Sequence, residues 1–273
     1  RCLEYAIMMK EDYGVNIKVA NNSWGGGTYS KVLHETIEDA HDAGILFVAA
    51  AGNSSSALNN LALVDNDRFP VYPANYEVPN VIAVAATNNQ DKLAAETWFS
   101  SHYGKTTVHL GAPGVFVASL LPNDRYSINN GTSMAAPHVS GVLSLLASAN
   151  DGVSSKTLKE ALLDGTDPLA DLKGKTVSEG RLNALGALLA LESVDADYDG
   201  VLDEDDNCIE HYNPNQTDFD SDGYGNPMSW GGGWDQSWDN REPWDAQALG
   251  KGKGQFKGGK NKGGKGGKGP RNG

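Results

Sequence analysis

Residues 130–138 read Asn-Gly-Thr-Ser-Met-Ala-Ala-Pro-His, which places Ser133 between a glycine turn and an apolar helix predicted over residues 133–149. A hydroxyl at a helix N-terminus lies beside unpaired backbone N–H groups and the positive end of the helix dipole. Such donors can stabilise a developing oxyanion, so Ser133 is a candidate nucleophile. Serine is also a common helix cap, and a structural role is the simpler interpretation of one such serine.

Two upstream segments end in residues that suit the same chemistry. Residues 49–53, Ala-Ala-Ala-Gly-Asn, close an apolar run with an asparagine whose amide can donate to an oxyanion. Residues 22–27, Asn-Ser-Trp-Gly-Gly-Gly, carry little side chain and suit pairing with an extended peptide. Taken alone, Asn53 is interpreted as a turn residue and residues 22–27 as a loop.

Around these segments, short apolar runs alternate with amphipathic stretches. The runs are continuous, as expected for strands buried on both faces of a parallel sheet, and they predict strands over residues 15–20, 45–51, 81–86 and 115–120. The amphipathic and apolar stretches predict helices over residues 29–43 (stopped by Gly44), 133–149, 154–163 and 183–191. Strands interleaved with helices predict an α/β domain with helices on both faces of its sheet.

Together, the three segments resemble the subtilisin-like serine peptidases. The GTSMAxPH segment matches the nucleophile motif of that family, AAAGN matches its oxyanion-hole segment, and NNSWGG matches its substrate-pairing strand, in the same order. Residues 72–74, Tyr-Pro-Ala, match a segment in which the family has a cis-proline. The resemblance covers residues 5–191 and implies a three-layer subtilisin-like α/β fold with a mostly parallel sheet, whose N-terminal part is missing.

The resemblance also implies roles for individual residues. Ser133 is the expected acylated nucleophile, and the Asn53 amide is expected to donate to the tetrahedral oxyanion together with the Ser133 backbone N–H. Three residues are expected to hydrogen-bond the substrate backbone: Ser23, Trp24 and Gly25. Three more are expected to border the pocket for the residue before the scissile bond: Ala50, Ala51 and Gly52.

No general base is identified in the sequence. A serine hydroxyl needs a base that is oriented by a carboxylate. The subtilisin order is Asp, His, Ser, but neither an Asp-Ser/Thr-Gly nor a His-Gly-Thr-His segment occurs, and Ala135 breaks the Gly-x-Ser-x-Gly pattern of α/β-hydrolases. A solvated or structural role is expected for every histidine: His34, His41, His102, His109, His138 and His211. We therefore expect the chain to be the C-terminal part of a longer catalytic domain, inactive alone.

One histidine departs from the family pattern. His109 lies before Leu-Gly-Ala-Pro-Gly, where the resembled family usually has aspartate, and no functional reason for the change is visible in the sequence.

The net charge of −13 is unevenly distributed along the chain. Residues 1–191 carry 13 basic and 19 acidic groups, residues 192–249 carry 1 and 16, and residues 250–273 carry 8 and none. No apolar run is long enough for a membrane span. Two cysteines, Cys2 and Cys208, cannot form a dense disulfide framework.

The acidic segment has the spacing of a calcium loop. Aspartates occupy positions one, three, five, nine and twelve, glycine occupies position six, and a backbone carbonyl occupies position seven, which predicts these ligands: Asp195, Asp197, Asp199, Val201, Asp203 and Asp206. A second, weaker loop is predicted from Asp218, Asp220 and Asp222. The alternative, a solvated acidic linker, does not explain glycine at position six of both loops. The segment resembles thrombospondin type 3 repeats, which implies calcium as a cofactor and a secreted, extracellular protein.

The last two segments are interpreted from composition. Four tryptophans among glycines and acidic residues in 230–249 indicate a disordered linker rather than a defined ligand site. The Gly/Lys-rich tail over 250–273 is predicted to be disordered. It suits contact with a polyanion or a cell surface, or folding back on the acidic segment.

These observations predict four segments and two alternative functions. The segments are a partial peptidase domain (1–192), calcium-binding repeats (193–229), a Trp/acidic linker (230–249) and the tail (250–273). The first function is that of a subtilisin-like serine endopeptidase that cleaves protein or peptide substrates through an acyl-enzyme on Ser133. The alternative is a non-catalytic, calcium-dependent adhesion or anchoring protein with a degenerate peptidase scaffold. The presence of both Ser133 and Asn53 favours the peptidase.

Overall fold

The computed structural model describes residues 1–55, 62–150 and 152–192. The helices in these ranges are α1 (Cys2–Glu11), α2 (Lys31–Asp42), α3 (Thr132–Ala149), α4 (Ser155–Asp164) and α5 (Ala184–Glu192). The strands are β1 (Val19–Asn22), β2 (Leu46–Ala50), β3 (Asn53–Ser55), β4 (Val81–Thr87), β5 (Phe99–Ser101), β6 (Leu110–Pro113), β7 (Val117–Leu121), β8 (Arg125–Asn129), β9 (Asp167–Pro168) and β10 (Gly180–Arg181).

Six strands form the main sheet, in the order β1-β2-β4-β6-β10-β9. All neighbours are parallel except β9, which runs antiparallel to β10. Because the carboxyl ends of parallel strands meet at one edge, the segments that follow β1 and β2 come close together there.

Alternate residues of β2 face opposite layers. Leu46 and Val48 pack in the core that includes α3, α4 and α5, whereas Phe47 and Ala49 pack with Ile37 of α2 on the other face. Both faces of the sheet are therefore covered by helices. The expected three-layer α/β fold with a mostly parallel sheet is confirmed.

Several predicted boundaries agree closely with the structure. Gly44, at a φ of +67°, follows the end of α2, and Ser154 caps α4 by accepting a hydrogen bond from the Thr157 N–H. The Tyr72–Pro73 peptide bond is cis, as the resemblance implied.

The prediction that residues 115–120 form a strand buried in the parallel sheet is wrong. The segment forms β7, which among the described residues pairs only with β8, in a separate two-stranded antiparallel sheet. Leu120, which was expected in the core, is 68% exposed. Asn123 and Asp124 adopt positive φ between the two strands, which turns the chain into a surface hairpin. A continuous apolar run does not by itself show that a strand is covered on both faces.

The strand predicted over residues 15–20 begins later than expected. The Ile17 N–H bonds to the Val15 carbonyl in a tight local turn, and only Val19–Asn22 pair with β2. The apolar character of Val15 and Ile17 therefore does not extend the sheet.

Candidate active site

Asn53 begins β3, just after the carboxyl end of β2. Its Oδ1 accepts hydrogen bonds from the Thr132 backbone N–H at 2.9 Å and from the Thr132 hydroxyl at 3.1 Å. Because Oδ1 is engaged by two donors, the orientation of the amide is fixed, and its Nδ2 remains the donor of an exposed side chain.

Ser133 is the second residue of α3, and the turn before it depends on glycine. Gly131 has a φ of +144°, in the left-handed region, and its N–H bonds to the Gly114 carbonyl at 2.8 Å. The Ser133 N–H lies in the first turn of the helix, where backbone donors lack intrahelical acceptors. A Cβ built on Gly131 would lie 3.6 Å from both Asn53 Nδ2 and the Ser133 nitrogen, so these two donors lie close together at the start of α3. The Ser133 side chain there is half-buried.

Thr132 connects the two segments that carry these donors. Its side chain is fully buried, and its hydroxyl accepts a hydrogen bond from the Gly52 N–H at 3.2 Å while donating to Asn53 Oδ1. Thr132 stands within the GTSMAxPH motif, but the motif does not reveal its role. That role depends on contacts with Asn53 and Gly52, which lie 79 and 80 positions earlier in the chain.

The predicted substrate-pairing loop also reaches Ser133. The Ser23 hydroxyl donates to the Ser133 carbonyl at 2.8 Å, and Trp24 is 50% exposed. The Gly26 N–H bonds to the Tyr72 carbonyl at 3.2 Å, which holds the loop from the other side. The structure therefore brings the loop that contains Ser23, Trp24 and Gly25 to the predicted nucleophile.

The predicted pocket border lies at the end of β2. Ala50 and Ala51 are buried, while Gly52 is partly exposed and has a φ of +115°. A Cβ on Gly52 would lie 2.5 Å from His102 Nδ1, so both the backbone conformation and the close approach of this ring require glycine.

A buried polar network lies against the residues that flank Asn53. Asn66 donates through Nδ2 to the Ala51 carbonyl at 2.8 Å, which leaves its Oδ1 to accept from His102 Nδ1 at 3.2 Å. The second ring nitrogen of His102, Nε2, lies 3.3 Å from the Ser54 hydroxyl, whose proton it accepts. His102 is 8% exposed, and burial lowers its pKa to about 4. The ring is therefore neutral at pH 7.

The side chain of His109 accepts a hydrogen bond from the neighbouring strand β4. The ring Nδ1 of His109 accepts a hydrogen bond from the Ala83 backbone N–H at 3.0 Å. The backbone N–H of His109 donates to the Ala83 carbonyl at 2.8 Å, just before β6 begins. Burial, together with the charge of Lys159, lowers the pKa of His109 to about 3, which keeps Nδ1 free of a proton. The His109 ring therefore links the segment before β6 to the neighbouring strand β4.

Among residues 1–55, 62–150 and 152–192, no histidine hydrogen-bonds to the Ser133 side chain. His34 lies 3.4 Å from Glu38, and His138 Nδ1 bonds to the Met134 carbonyl at 2.8 Å. The expected structural or solvated roles of these two side chains agree with these contacts.

The fold and the site define a serine-peptidase scaffold of the subtilisin kind. A family model described as the subtilase family matches residues 3–187, and the chain belongs to this family.

Three curated relatives show the extent of the similarity. Subtilisin-like protease 2 of Plasmodium falciparum is 34% identical over 179 residues, which cover 63% of this chain and 12% of that protein. The thermophilic serine proteinase of Bacillus sp. (strain AK1) is 35% identical over 183 residues, covering 67% and 40%. Thermitase of Thermoactinomyces vulgaris is 34% identical over 171 residues, covering 63% and 54%. The chain thus spans only 12% to 54% of the length of these three relatives.

Two solved structures share the fold. A structure of the subtilase cytotoxin SubAB superimposes with a TM-score of 0.57 at 27% identity, covering 70% of this chain and 63% of that one. The prenylagaramide maturation protease PagA gives a TM-score of 0.53 at 26% identity, covering 69% and 66%.

The predicted calcium ligands, the tryptophan segment and the basic tail lie outside the described residues. Within the described ranges, no group of three or more His, Cys, Asp or Glu side chains is placed to hold a metal ion. In the same part of the chain, the helices are too short or too polar to cross a membrane.

Proposed function

We propose that the chain carries the nucleophile and the oxyanion hole of a serine endopeptidase. Ser133 attacks the scissile carbonyl, and the resulting oxyanion accepts hydrogen bonds from Asn53 Nδ2 and the Ser133 N–H. The observation that carries this proposal is the double hydrogen bond from Thr132 to Asn53 Oδ1, which fixes the amide before substrate binds. Preorganised donors of this kind stabilise the transition state without reorganisation.

The substrate is proposed to be an extended protein or peptide chain. The loop at residues 23–27 joins the site through the hydrogen bond from Ser23 to the Ser133 carbonyl, and the end of β2 lies on the other side of Thr132. An extended peptide can pair with Ser23, Trp24 and Gly25 while the side chain before the scissile bond is bordered by Ala50, Ala51 and Gly52. A degenerate scaffold has no need of these arrangements, which favours the peptidase over an adhesion protein.

The general base is not assigned to a described residue. Acyl transfer from Ser133 needs a histidine that removes the hydroxyl proton and a carboxylate that orients the histidine. We propose that both are supplied by polypeptide other than the described residues, and that this chain alone has no turnover.

A chimera tests the assignment of the nucleophile. Residues 1–192 are fused behind the N-terminal region of thermitase that precedes the matched segment, and hydrolysis of a peptide p-nitroanilide is followed. Activity is expected in the chimera and its loss in the Ser133→Ala variant, whereas Ser148→Ala, an exposed position on the same helix, keeps full activity. Turnover that survives Ser133→Ala would refute the assignment.

The oxyanion donor is tested in the same chimera. Asn53→Leu is expected to lower kcat by about 10²- to 10³-fold, because one preorganised donor is lost, with a much smaller change in KM. Asn53→Asp keeps an oxygen that accepts from Thr132 but has no N–H to donate, so an equal loss in this variant assigns the effect to the missing donor and not to a disturbed helix start. Unchanged kcat in Asn53→Leu would exclude the role.

We further propose that residues 193–229 bind calcium and that the protein works outside the cell. The regular Asp spacing and the two loop glycines support calcium binding. Extracellular modules bind calcium at millimolar concentrations, which supports a location outside the cell. Calorimetry of the full chain is expected to show calcium uptake that Asp195→Asn with Asp199→Asn reduces. No uptake at millimolar calcium would contradict it.

The basic tail is proposed to contact a polyanion or a cell surface. Residues 250–273 carry 8 basic and no acidic groups, so binding to heparin should weaken steeply with salt. Deletion of residues 250–273 is expected to abolish retention on heparin, and retention that survives the deletion would remove the tail from consideration.

A further inference from the structure

A cleft lies at the opposite end of the sheet from Ser133. It has a volume of about 420 Å³ and is lined by the first residue of β2, the segment before β4 and one face of α4. Its apolar wall consists of Leu46, Pro79 and Leu163. Clefts of this size with mostly apolar walls and a few polar groups are typical of small-molecule sites.

Two polar atoms around this cleft lack hydrogen-bond partners in the described part of the chain. Asn80, which is 2% exposed, donates through Nδ2 to the Ile37 and Ile45 carbonyls, but its Oδ1 accepts nothing. His41, which also lines the cleft, has a buried Nδ1 without a partner. Both atoms have almost no accessible surface, so a molecule in the cleft can pair with one of them only after the side chain turns toward it. Because buried polar groups are nearly always satisfied, such a pairing is favourable.

Lys159 brings a cation with one spare donor to the same cleft. Its Nζ donates to the carbonyls of Pro79 and Val81, both at 2.8 Å. A protonated amine has three N–H donors, so the third is available to an acceptor in the cleft. Burial lowers the pKa of Lys159 to about 8, which places the loss of that third donor in an accessible pH range.

The surrounding charges favour an anion near Lys159. Ser155 is the first residue of α4 and lies one turn before Lys159, so the positive end of the helix dipole faces the same region. Lys156 and Glu160 also line the cleft and pair with each other at 4.0 Å. With that pair neutralised, Lys159 supplies the net positive charge of the lining.

We propose that this cleft binds a small apolar carboxylate that also carries an N–H donor. The carboxylate accepts from Lys159 and from the N-terminal turn of α4, the N–H donates to Asn80 Oδ1 after a small adjustment of that side chain, and the apolar body packs on Leu46 and Leu163. An acylated apolar amino acid and the C-terminal residue of a peptide share this chemistry. The site is separate from Ser133 and does not depend on the proposed peptidase function.

The test is a titration of the full chain with N-acetyl-leucine at pH 7, followed by ¹⁵N NMR. Saturable shifts are expected for the backbone amides of Ser155 and Lys156 and for the side-chain amide of Asn80. N-acetyl-leucinamide, which lacks the carboxylate, and acetate, which lacks the apolar body, are each expected to bind at least about tenfold more weakly, because each loses one of the two contact types. Equal binding of the amide and the acid, or no saturable shift at millimolar N-acetyl-leucine, would overturn the proposal.

Variants and a pH series distinguish binding at Lys159 from nonspecific binding to the surface. Lys159→Met is expected to weaken binding at least tenfold, whereas Lys156→Met on the same helix changes it less than twofold. If Lys159→Met does not fold, Ser155→Glu serves instead, because an acidic residue in the first turn favours the helix but repels the ligand. Affinity for the native chain should fall about tenfold from pH 7 to pH 9 as Lys159 loses its proton. Affinity that is unchanged by pH or by both variants refutes the site.

A final arm identifies the natural class of ligand. Acetyl-Gly-Gly-Leu presents the same terminal residue on a peptide. Tighter binding of this peptide than of N-acetyl-leucine would assign the cleft to peptide C-termini, and weaker binding would assign it to free acylated amino acids.

Discussion

Mild acid is predicted to destabilise the protein through His102. The ring has a pKa of about 4 in the folded chain because it is buried, against 6.5 in an unfolded chain. Between these two values the unfolded state binds a proton that the folded state does not, so the free energy of unfolding falls as the pH falls. With these pKa values, the loss attributable to His102 between pH 7 and pH 5.5 is about 1.2 kcal/mol.

Urea unfolding followed by circular dichroism at both pH values measures this loss. His102→Gln has no group that titrates in this range, so its free energy of unfolding should fall by about 1.2 kcal/mol less than that of the native chain. His109 contributes equally to both proteins and cancels in the comparison. The lower limit of pH 5.5 keeps most carboxylates ionised.

Two further measurements keep the prediction decisive. Ser148→Ala, a replacement of an exposed residue on α3 that does not titrate, should retain the pH dependence of the native chain. If His102→Gln does not fold, an NMR titration of the His102 ring in the native chain replaces it, with a midpoint expected near 4. Identical pH dependence in the native chain and His102→Gln, or a ring midpoint near 6.5, would show that the buried network does not hold the ring neutral.

Three other substitutions probe the packing. Thr132→Val removes the hydroxyl that bonds both Gly52 and Asn53, so the free energy of unfolding measured in urea titrations should fall by about 1–3 kcal/mol. Thr132→Ser should recover part of this loss, and no loss in Thr132→Val would mean that the hydroxyl is dispensable. Gly165→Ala should destabilise by about 1–3 kcal/mol, because the added Cβ would overlap the backbone nitrogen of Ala187, and a native melting temperature would contradict this. Gly141 lies inside α3, and a Cβ added there would have no neighbour within 4 Å. Thermal melts of Gly141→Ala should therefore show stabilisation of about 0.5–1 kcal/mol, and destabilisation would contradict this.

Much of the fold was predictable because its signals are local. The apolar runs that became β2 and β4 and the glycine that ends α2 are each visible within a few residues. The candidate nucleophile Ser133 and the donor Asn53 stand in short motifs, and the structure brings them together through Thr132. Their roles in catalysis remain proposals.

The rest depends on contacts between distant parts of the chain. Three features arise only after folding has brought β4, β5 and α3 together. They are the acceptor role of His109, the position of His102 against Gly52 and the hydrogen bonds through Thr132. The error at residues 115–120 has the same origin, since burial of β7 depends on what packs against it and not on its own composition.

The double hydrogen bond between Thr132 and Asn53 also has an evolutionary consequence. A change at either position would disturb both the helix start beside Ser133 and the orientation of the amide. We therefore expect positions 53 and 132 to change together, or not at all, in homologous chains.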